Sequence, residues 1–449
     1  MRVDIVELLT MDKVTVIGLG YVGLPLSLTA LSAGFEVFGL DVRADYIEKV
    51  KRGDVQMAET QGGRSIQDIL VEAVESGRYH PTTNPDEALG YDNQQIILTV
   101  GIPLRDGKAD PSMLNSALET LGARLRKGAL VVARSTLVVG YTRGFIAPKL
   151  QNMSGMSPTD DFDLAFSSER MAEGSAFDEL VGMVTPVAGL TPRATSRSAR
   201  FLERLGIKSV IQASCPEAVE TAKVFENIAR DVNIALANEY ANFCTAFGLD
   251  TKEVLELVRT HKRVGFLHHP GPGVGGHCLP QAMHYLKPPA EEAGVGLPVI
   301  ETSRQVNCNQ PIHIARLTLD WLKDAGRQKG KVAILGLAMK DYSTDARWSP
   351  AVDIARYLKA HHGGELAVWD DNVDREHVNL DLDYADTLES AVAGASAIIV
   401  GARQSPLVTG SVNDVSLLDG MDKPALIVDT RFAFDRKSVL ERGVDYRAL

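Results

Sequence analysis

Thiols are scarce in this chain, and an excess of basic charge is absent. Four cysteines, at 215, 244, 278 and 308, stand among 449 residues with no C-x-x-C pair and no zinc-ribbon spacing. That excludes a disulfide scaffold and suits free thiols in a reducing cytoplasm. Lys and Arg number 47 against 58 Asp and Glu, a formal charge of −11. The basic footprint of a nucleic-acid partner is therefore missing, although a locally cationic pocket for a phosphate-bearing small molecule is still allowed. No uncharged apolar run approaches the roughly 18 residues of a membrane span, so none is expected. The opening MRVDIVELLTMDK carries Asp4 and Glu7 and no long apolar core, so no secretory signal is expected, and its first ten residues read as a short extension before a candidate second start at Met11. Hydrophobic residues at 45% and charged residues at 23% are ordinary globular values and exclude disorder. Domains run to about 100–200 residues, so two or three are expected.

What the chain has in plenty is buried strand alternating with helix. Residues 13–43 read KVTVIGLGYVGLPLSLTALSAGFEVFGLDVR. Val14, Val16 and Ile17 predict a strand, Leu24 to Ala33 an apolar helix, and FEVFGLD a second strand ending in Asp41. Between the first two, Gly18, Gly20 and Gly23 spell G-x-G-x-x-G around Tyr21 and Val22. The first glycine makes the tight turn, the second admits a pyrophosphate and the third lets helix and strand pack closely; the pyrophosphate then faces the positive end of the helix dipole. Glycines that merely shape a βαβ turn would not need the acidic strand end as well. Asp41 can accept from both ribose hydroxyls and repels a 2′-phosphate. Arg43 favours such a phosphate, but the carboxylate is nearer, so NAD is expected rather than NADP. Further strands are expected at QQIILTV and ALVVARST, with a helix around Pro111 to Leu125. GIPL (101–104) and RSTLVVGYT (134–142) follow these strands, where ligands gather in such folds. Thr136 offers a hydroxyl there, or simply caps a helix.

From Cys215 to Phe247 the periodicity is helical, with no proline after Pro216. Some thirty residues at 1.5 Å each span about 45 Å, which predicts a spine helix and a dimer surface, hence a homodimer or higher homo-oligomer. Lys223 and Asn227 share one face of it; the plainer reading is a solvated lysine beside a helical amide. After a break at DAGRQKGK (324–331), the segments KVAILGLA, AVDIARYLKAHH, LAVWDD, ASAIIVGA and PALIVDTR resume the β/α pattern with parallel-type strands. Gly336 and Ala338 do not complete a second dinucleotide fingerprint. The expected fold is α/β: two doubly wound Rossmann-like parallel-sheet domains joined by a helical central domain with a long spine helix. Between the helix and the second β/α region lies GPGVGGHCLPQAMHYL (271–286). Cys278 in it reads as a covalent nucleophile, as a metal ligand with His268, His269 and His277, or as an inert buried thiol. Adjacent residues rarely both reach one ion and the spacing is not that of a finger or ribbon, so no metal is expected.

In order along the chain, GLGYVGLPL, STLVVGYT, SSERMAEG, AKVFENIARDVNIALANE, GPGVGGHCLP and GLAMKDYSTDARWSPA resemble the UDP-glucose/GDP-mannose dehydrogenase family over nearly the whole length. SSER, ENIARDVNIALANE and PGPGVGGHC are most similar to its UDP-N-acetylmannosamine/UDP-N-acetylglucosamine 6-dehydrogenase branch. The resemblance implies a cytoplasmic, NAD-dependent, four-electron oxidation of the C6 hydroxyl of a nucleotide-diphosphate sugar, feeding polysaccharide or glycoconjugate assembly. It implies an NAD-binding domain over 1–212, a helical central and dimerisation domain with the cysteine loop over 213–312, and a nucleotide-sugar-binding domain over 313–449. It makes Cys278 the nucleophile, has Lys223 and Asn227 bind and polarise the C6 oxygen, and has Glu169 and Thr136 assist water and proton transfer. Arg347 would reach the cofactor. Lys340 would meet the diphosphate, with Arg170, Gly275 and Gly276 also at the substrate. Arg263 resembles an arginine lent to a neighbouring subunit's substrate, at a spacing one residue longer than the family's.

The chemistry accounts for these residue types. A second electron pair cannot leave an unhydrated aldehyde, so a nucleophile must first add to the carbonyl; a thiolate gives a thiohemiacetal, then a thioester that water opens. Glycines at 271, 273, 275 and 276 let backbone amides approach the developing oxyanion. Besides the Arg263 spacing, the sequence departs from the family at the aspartate expected four residues after the nucleophile, which is Ala282. That keeps open a two-electron outcome, either a 6-aldehyde product or a β-hydroxyacid-type dehydrogenase, and a degenerate nucleotide-sugar-binding protein.

Overall fold

The computed structural model describes residues 12–449 apart from 58, 173, 374–377, 379–381 and 405–414. The expectations for the amino-terminal extension and Met11 lie outside the described residues. The chain packs as two compact units, one running up to Phe225 with His284–Val295, the other Glu226–Met283 with Gly296–Leu449.

In the first unit, β1 (Lys13–Ile17), α1 (Gly23–Ser32), β2 (Glu36–Leu40), β3 (Tyr79–Thr82), β4 (Gln95–Leu98), β5 (Leu130–Ala133), β6 (Asp163–Ser167), β7 (Thr185–Gly189) and β8 (Val210–Gln212) build the dinucleotide-type sheet. Among the described residues its order is β8-β7-β6-β5-β4-β1-β2-β3. The central strands are short apolar runs buried on both faces, as parallel strands under helices must be. Val14, Val16, Leu24, Leu28 and Phe35 share one core cluster, and Phe35 meets Phe201 edge to face at 6.0 Å. One pair departs from the expected parallel pattern: β7 runs antiparallel to β6, Ala165 opposite Gly189. Parallel neighbours need a crossover that carries the chain back along the sheet, and the helix between these two, Ala176–Gly182, has only seven residues.

The spine is α2 (Pro216–Phe247), 32 residues and about 48 Å at helical rise. It is followed by α3 (Cys278–Glu292) and α4 (Pro298–Asp324). The second unit's sheet uses β9 (Lys331–Leu335), β10 (Leu366–Trp369), β11 (Asp383–Tyr384), β12 (Ala395–Val400), β13 (Leu426–Asp429) and β14 (Asp445–Ala448), in the order β11-β10-β9-β12-β13-β14. Each of these pairs is parallel. Alternate residues of β9 feed two cores: Val332 and Ile334 pack into one cluster, Ala333 and Leu335 into the other. That is the signature of a sheet covered on both faces. The α5 helix (Pro350–His361) covers one of them.

Candidate active site

The glycine turn has the geometry its spacing predicts. Gly18 has φ +93°, and a Cβ on Gly23 would stand 1.9 Å from the carbonyl oxygen of Gly18, whereas a Cβ on Gly20 would meet nothing within 4 Å. The turn is thus closed on the strand side and open at its tip, the shape that receives a pyrophosphate. Thr99 Oγ1 pins it by donating to the carbonyls of Ile17 (2.9 Å) and Gly18 (2.6 Å). Asp41 Oδ2 accepts from the Leu19 amide at 3.0 Å. Arg43 folds back on this carboxylate, Nε at 3.1 Å from Oδ1, and lies over the Tyr46 ring at 4.1 Å. Burial pushes the Asp41 pKa up, but the Arg43 and Leu19 hydrogen bonds outweigh it and hold the group ionised. Tyr21 donates to buried Glu59, whose oxygens also accept from the amides of Gly174 (2.6 Å) and Ala176 (2.8 Å). Val22 is half-buried beside it.

Thr136, half-buried, lies in the loop after β5. That loop is sutured from two sides. Glu220 of α2 accepts from Gly140 N (2.6 Å), Thr142 N (2.9 Å) and Thr142 Oγ1 (2.6 Å) at the start of a π-helical turn, Thr142–Ile146. Tyr285 of α3 accepts the Val139 amide on its carbonyl and donates its hydroxyl to Ile102 O at 2.6 Å. Glu169, after β6, is fixed rather than mobile: Oε2 accepts from Arg134 Nη2 at 2.7 Å, and Oε1 from the amides of Arg170 (2.7 Å) and Met171 (2.8 Å). Arg170 Nη1 donates to Val184 O at 2.7 Å. Lys223 is half-buried one helical turn before Asn227 on α2.

In the second unit Cys278 is exposed at the first residue of α3. Asn227, 1% exposed, donates from Nδ2 to the Cys278 carbonyl at 3.3 Å and accepts from Arg230 Nη2 at 2.9 Å. The preceding glycines lie against the 339–350 segment: a Cβ on Gly275 would come within 2.6 Å of Trp348 O, and one on Gly276 within 2.3 Å of Met339 Sδ. The Gly276 amide donates to Arg347 O at 3.2 Å. The Arg347 guanidinium pairs with Asp345, Nη2 to Oδ2 at 2.5 Å, and Lys340 is half-buried in the same segment. His277 sits 5.5 Å from the Trp348 ring; burial, then the Arg347 charge, lowers its pKa, so it stays neutral. Arg263 is exposed after the helix Thr251–Arg259. Among the described residues no group of three or more His, Cys, Asp or Glu is placed to hold a metal ion.

The second unit repeats the carboxylate device in altered form. Asp370, after β10, accepts from Leu337 N at 2.6 Å, as Asp41 does from Leu19. It is also engaged by the amides of Ala338 (3.2 Å), Asn372 (2.9 Å) and Val373 (3.0 Å) and by Gln404 Nε2 (3.0 Å). A carboxylate so occupied has little left for a ribose, in keeping with the incomplete glycine pattern at Gly336 and Ala338.

Three models of one family match in series: its NAD binding domain over residues 12–205, its central domain over 217–309 and its UDP binding domain over 333–436. The UDP-N-acetyl-D-mannosamine dehydrogenase of Pyrococcus horikoshii is 33% identical over 390 residues, 86% of this chain and 88% of that protein. The chain belongs to the UDP-glucose/GDP-mannose dehydrogenase family. A solved UDP-D-ManNAc dehydrogenase from Pyrococcus horikoshii superposes with a TM-score of 0.87 at 30% identity, covering 97% of this chain and 98% of that one. An NDP-N-acetyl-D-galactosaminuronic acid dehydrogenase from Methanosarcina mazei reaches 0.81 at 27%, covering 98% and 96%.

As a UDP-glucose/GDP-mannose dehydrogenase family member, the protein is an NAD-dependent oxidoreductase acting on a nucleotide sugar. The open glycine turn and the Asp41 strand end fit that cofactor. Sequence reasoning missed Arg134, Glu59, Glu220 and Tyr285, which hold the site's loops. For Arg134 a signal existed, an arginine at the end of the apolar run ALVVAR; Glu59 had none, because its partners lie 38 to 117 positions away.

Proposed function

We propose that the protein oxidises the C6 hydroxyl of a UDP-sugar to the uronate in two two-electron stages, with Cys278 as covalent nucleophile. The observation that carries this is the placing of Cys278: exposed at the head of a helix, directly after a glycine run, with its carbonyl tethered by Asn227. Bound NAD supplies the electron acceptor, taking hydride in each stage. Lys223 and Asn227 hold the C6 oxygen, and the thiolate adds to the aldehyde carbon, forming a C–S bond and an oxyanion faced by the backbone amides of the loop. Oxidation of this thiohemiacetal leaves a thioester, which water opens to carboxylate and free thiol. Per alcohol, one water and two NAD are consumed, giving two NADH and three protons. Glu169, ionised and anchored, serves in this reading as a fixed charge beside the water, with Thr136 as its hydroxyl partner. Asp41 with Gly18, Gly20, Tyr21, Val22 and Gly23 binds NAD; Arg43 releases Asp41 to the ribose, and Arg347 reaches the cofactor. Arg170, Gly275, Gly276, Arg263 and Lys340 bind the nucleotide sugar. The functional parts follow 1–212, 213–312 and 313–449.

An N-acetylhexosamine is the sugar we favour, from the likeness to the dehydrogenases above. A homodimer through α2 is supported by its exposed Phe243 and Phe247, and a cytoplasmic location by four free cysteines. One observation favours a second outcome. Ala282, in place of the family's aspartate, is fully buried and can hold neither water nor charge, which favours release of the 6-aldehyde. Incubation with UDP-N-acetylhexosamines, with NADH counted per sugar consumed and products weighed, decides: two NADH and a uronate support the proposal, one NADH and an aldehyde the alternative. Cys278→Ser should abolish uronate formation, and unchanged uronate output would refute the covalent route.

A further inference from the structure

The segment that delivers Cys278 has no regular structure from Leu267 to Gly276 and contains four glycines, so by itself it retains much conformational freedom. A nucleophile, however, must be held to within about 0.5 Å of its productive place. The structure answers this with asparagines of α2. Asn233 Oδ1 accepts from the His268 amide at 2.6 Å, and Asn238 Oδ1 from the Gly271 amide at 2.9 Å; Asn227 holds the far end at the Cys278 carbonyl. Asn238 does not act alone. Its Nδ2 donates to Asn307 Oδ1 (3.0 Å), Asn307 Nδ2 donates to Asp231 Oδ1 (2.9 Å), and Arg304 Nη1 donates to Asp231 Oδ1 (2.7 Å). Asn238 and Asn307 are 0% and 1% exposed. Burying so many polar groups costs stability unless every bond is made, and an apolar contact between α2 and α4 would cost less. The chain ends on the backbone of the glycine segment, which points to positioning as its task.

We propose that Asn233 and Asn238 are positioning residues that fix the 268–278 segment, and through it the Cys278 thiol. The proposal rests on Cys278 being the nucleophile, but its test need not. Asn233 is half-buried, so Asn233→Ala leaves the His268 amide access to water and should fold. Because a misplacement of about 1 Å costs up to roughly a hundredfold, Asn233→Ala should lower kcat about tenfold or more while changing KM for NAD less than about twofold. The rate of Cys278 alkylation by iodoacetamide, mapped by peptide mass spectrometry, should shift with it. Asn233→Asp, which keeps an acceptor for the His268 amide, should recover most of both. Asn238→Ala should act more strongly; if it does not fold, the Asn233 pair decides. Folded Asn233→Ala with wild-type kcat and wild-type alkylation rate would overturn the proposal. Full uronate output from Cys278→Ala would instead refute the nucleophile, while the alkylation rates would still judge whether the asparagines hold the segment.

Discussion

At Glu169 two opposed effects meet. Burial raises the pKa of the carboxyl, while Arg134 and the amides of Met171 and Arg170 lower it, and the lowering wins. With Arg134 1% and Glu169 9% exposed in their side chains, removing one partner strands a buried charge, which typically costs about 3–5 kcal/mol. The folded-state pKa lies below the unfolded value, about 4.3 for a glutamate. The pairing therefore stabilises the fold above that range and is lost as pH falls through the depressed folded value. Glu169→Gln is expected to be markedly less stable than wild type at pH 7, with the gap closing below about pH 4; urea melts across pH 3–7 measure it. A gap that stayed constant would mean that Glu169 is not held as an anion. The same site limits chemistry, since an anchored, ionised Glu169 is a poor proton donor.

For the elements, α2 is the informative case. Leu236, Tyr240, Phe243 and Phe247 fall at helical spacing and are 40%, 41%, 58% and 68% exposed, with Phe243 and Phe247 stacked at 4.4 Å. A contiguous apolar stripe left to solvent is what an association surface looks like, and the homodimer proposed above would cover it with a second copy of the same helix. Phe243→Asp should convert the assembled protein to monomers in light scattering at micromolar concentration. A monomeric wild type would end this reading. In the dinucleotide element, Gly23→Ala should abolish NAD binding in calorimetry, because its methyl would fall on the Gly18 carbonyl.

For the whole molecule, each compact unit carries its own ligand logic: an open glycine turn with Asp41 in the first, and the match to a UDP binding domain in the second. A ligand at a hundred times its Kd stabilises what it binds by about 2.7 kcal/mol, roughly a hundredfold in opening equilibrium. NAD should therefore slow hydrogen exchange around 18–23 and UDP around 337–340, each read by mass spectrometry; protection of 337–340 by NAD alone would reverse the assignment. The sequence determined much of this by itself. Short apolar strands, the glycine turn, the acidic strand end, the unbroken spine periodicity and the lone cysteine after glycines are local patterns, because each records the burial or backbone freedom of neighbouring residues. Tertiary structure alone decided which distant groups meet: Arg134 on Glu169, Glu59 on an amide 115 positions away, β7 turned against β6, and Asp370 occupied by Gln404. Those pairings satisfy buried polar groups across the fold, and no periodicity along the chain encodes a partner that only packing brings near.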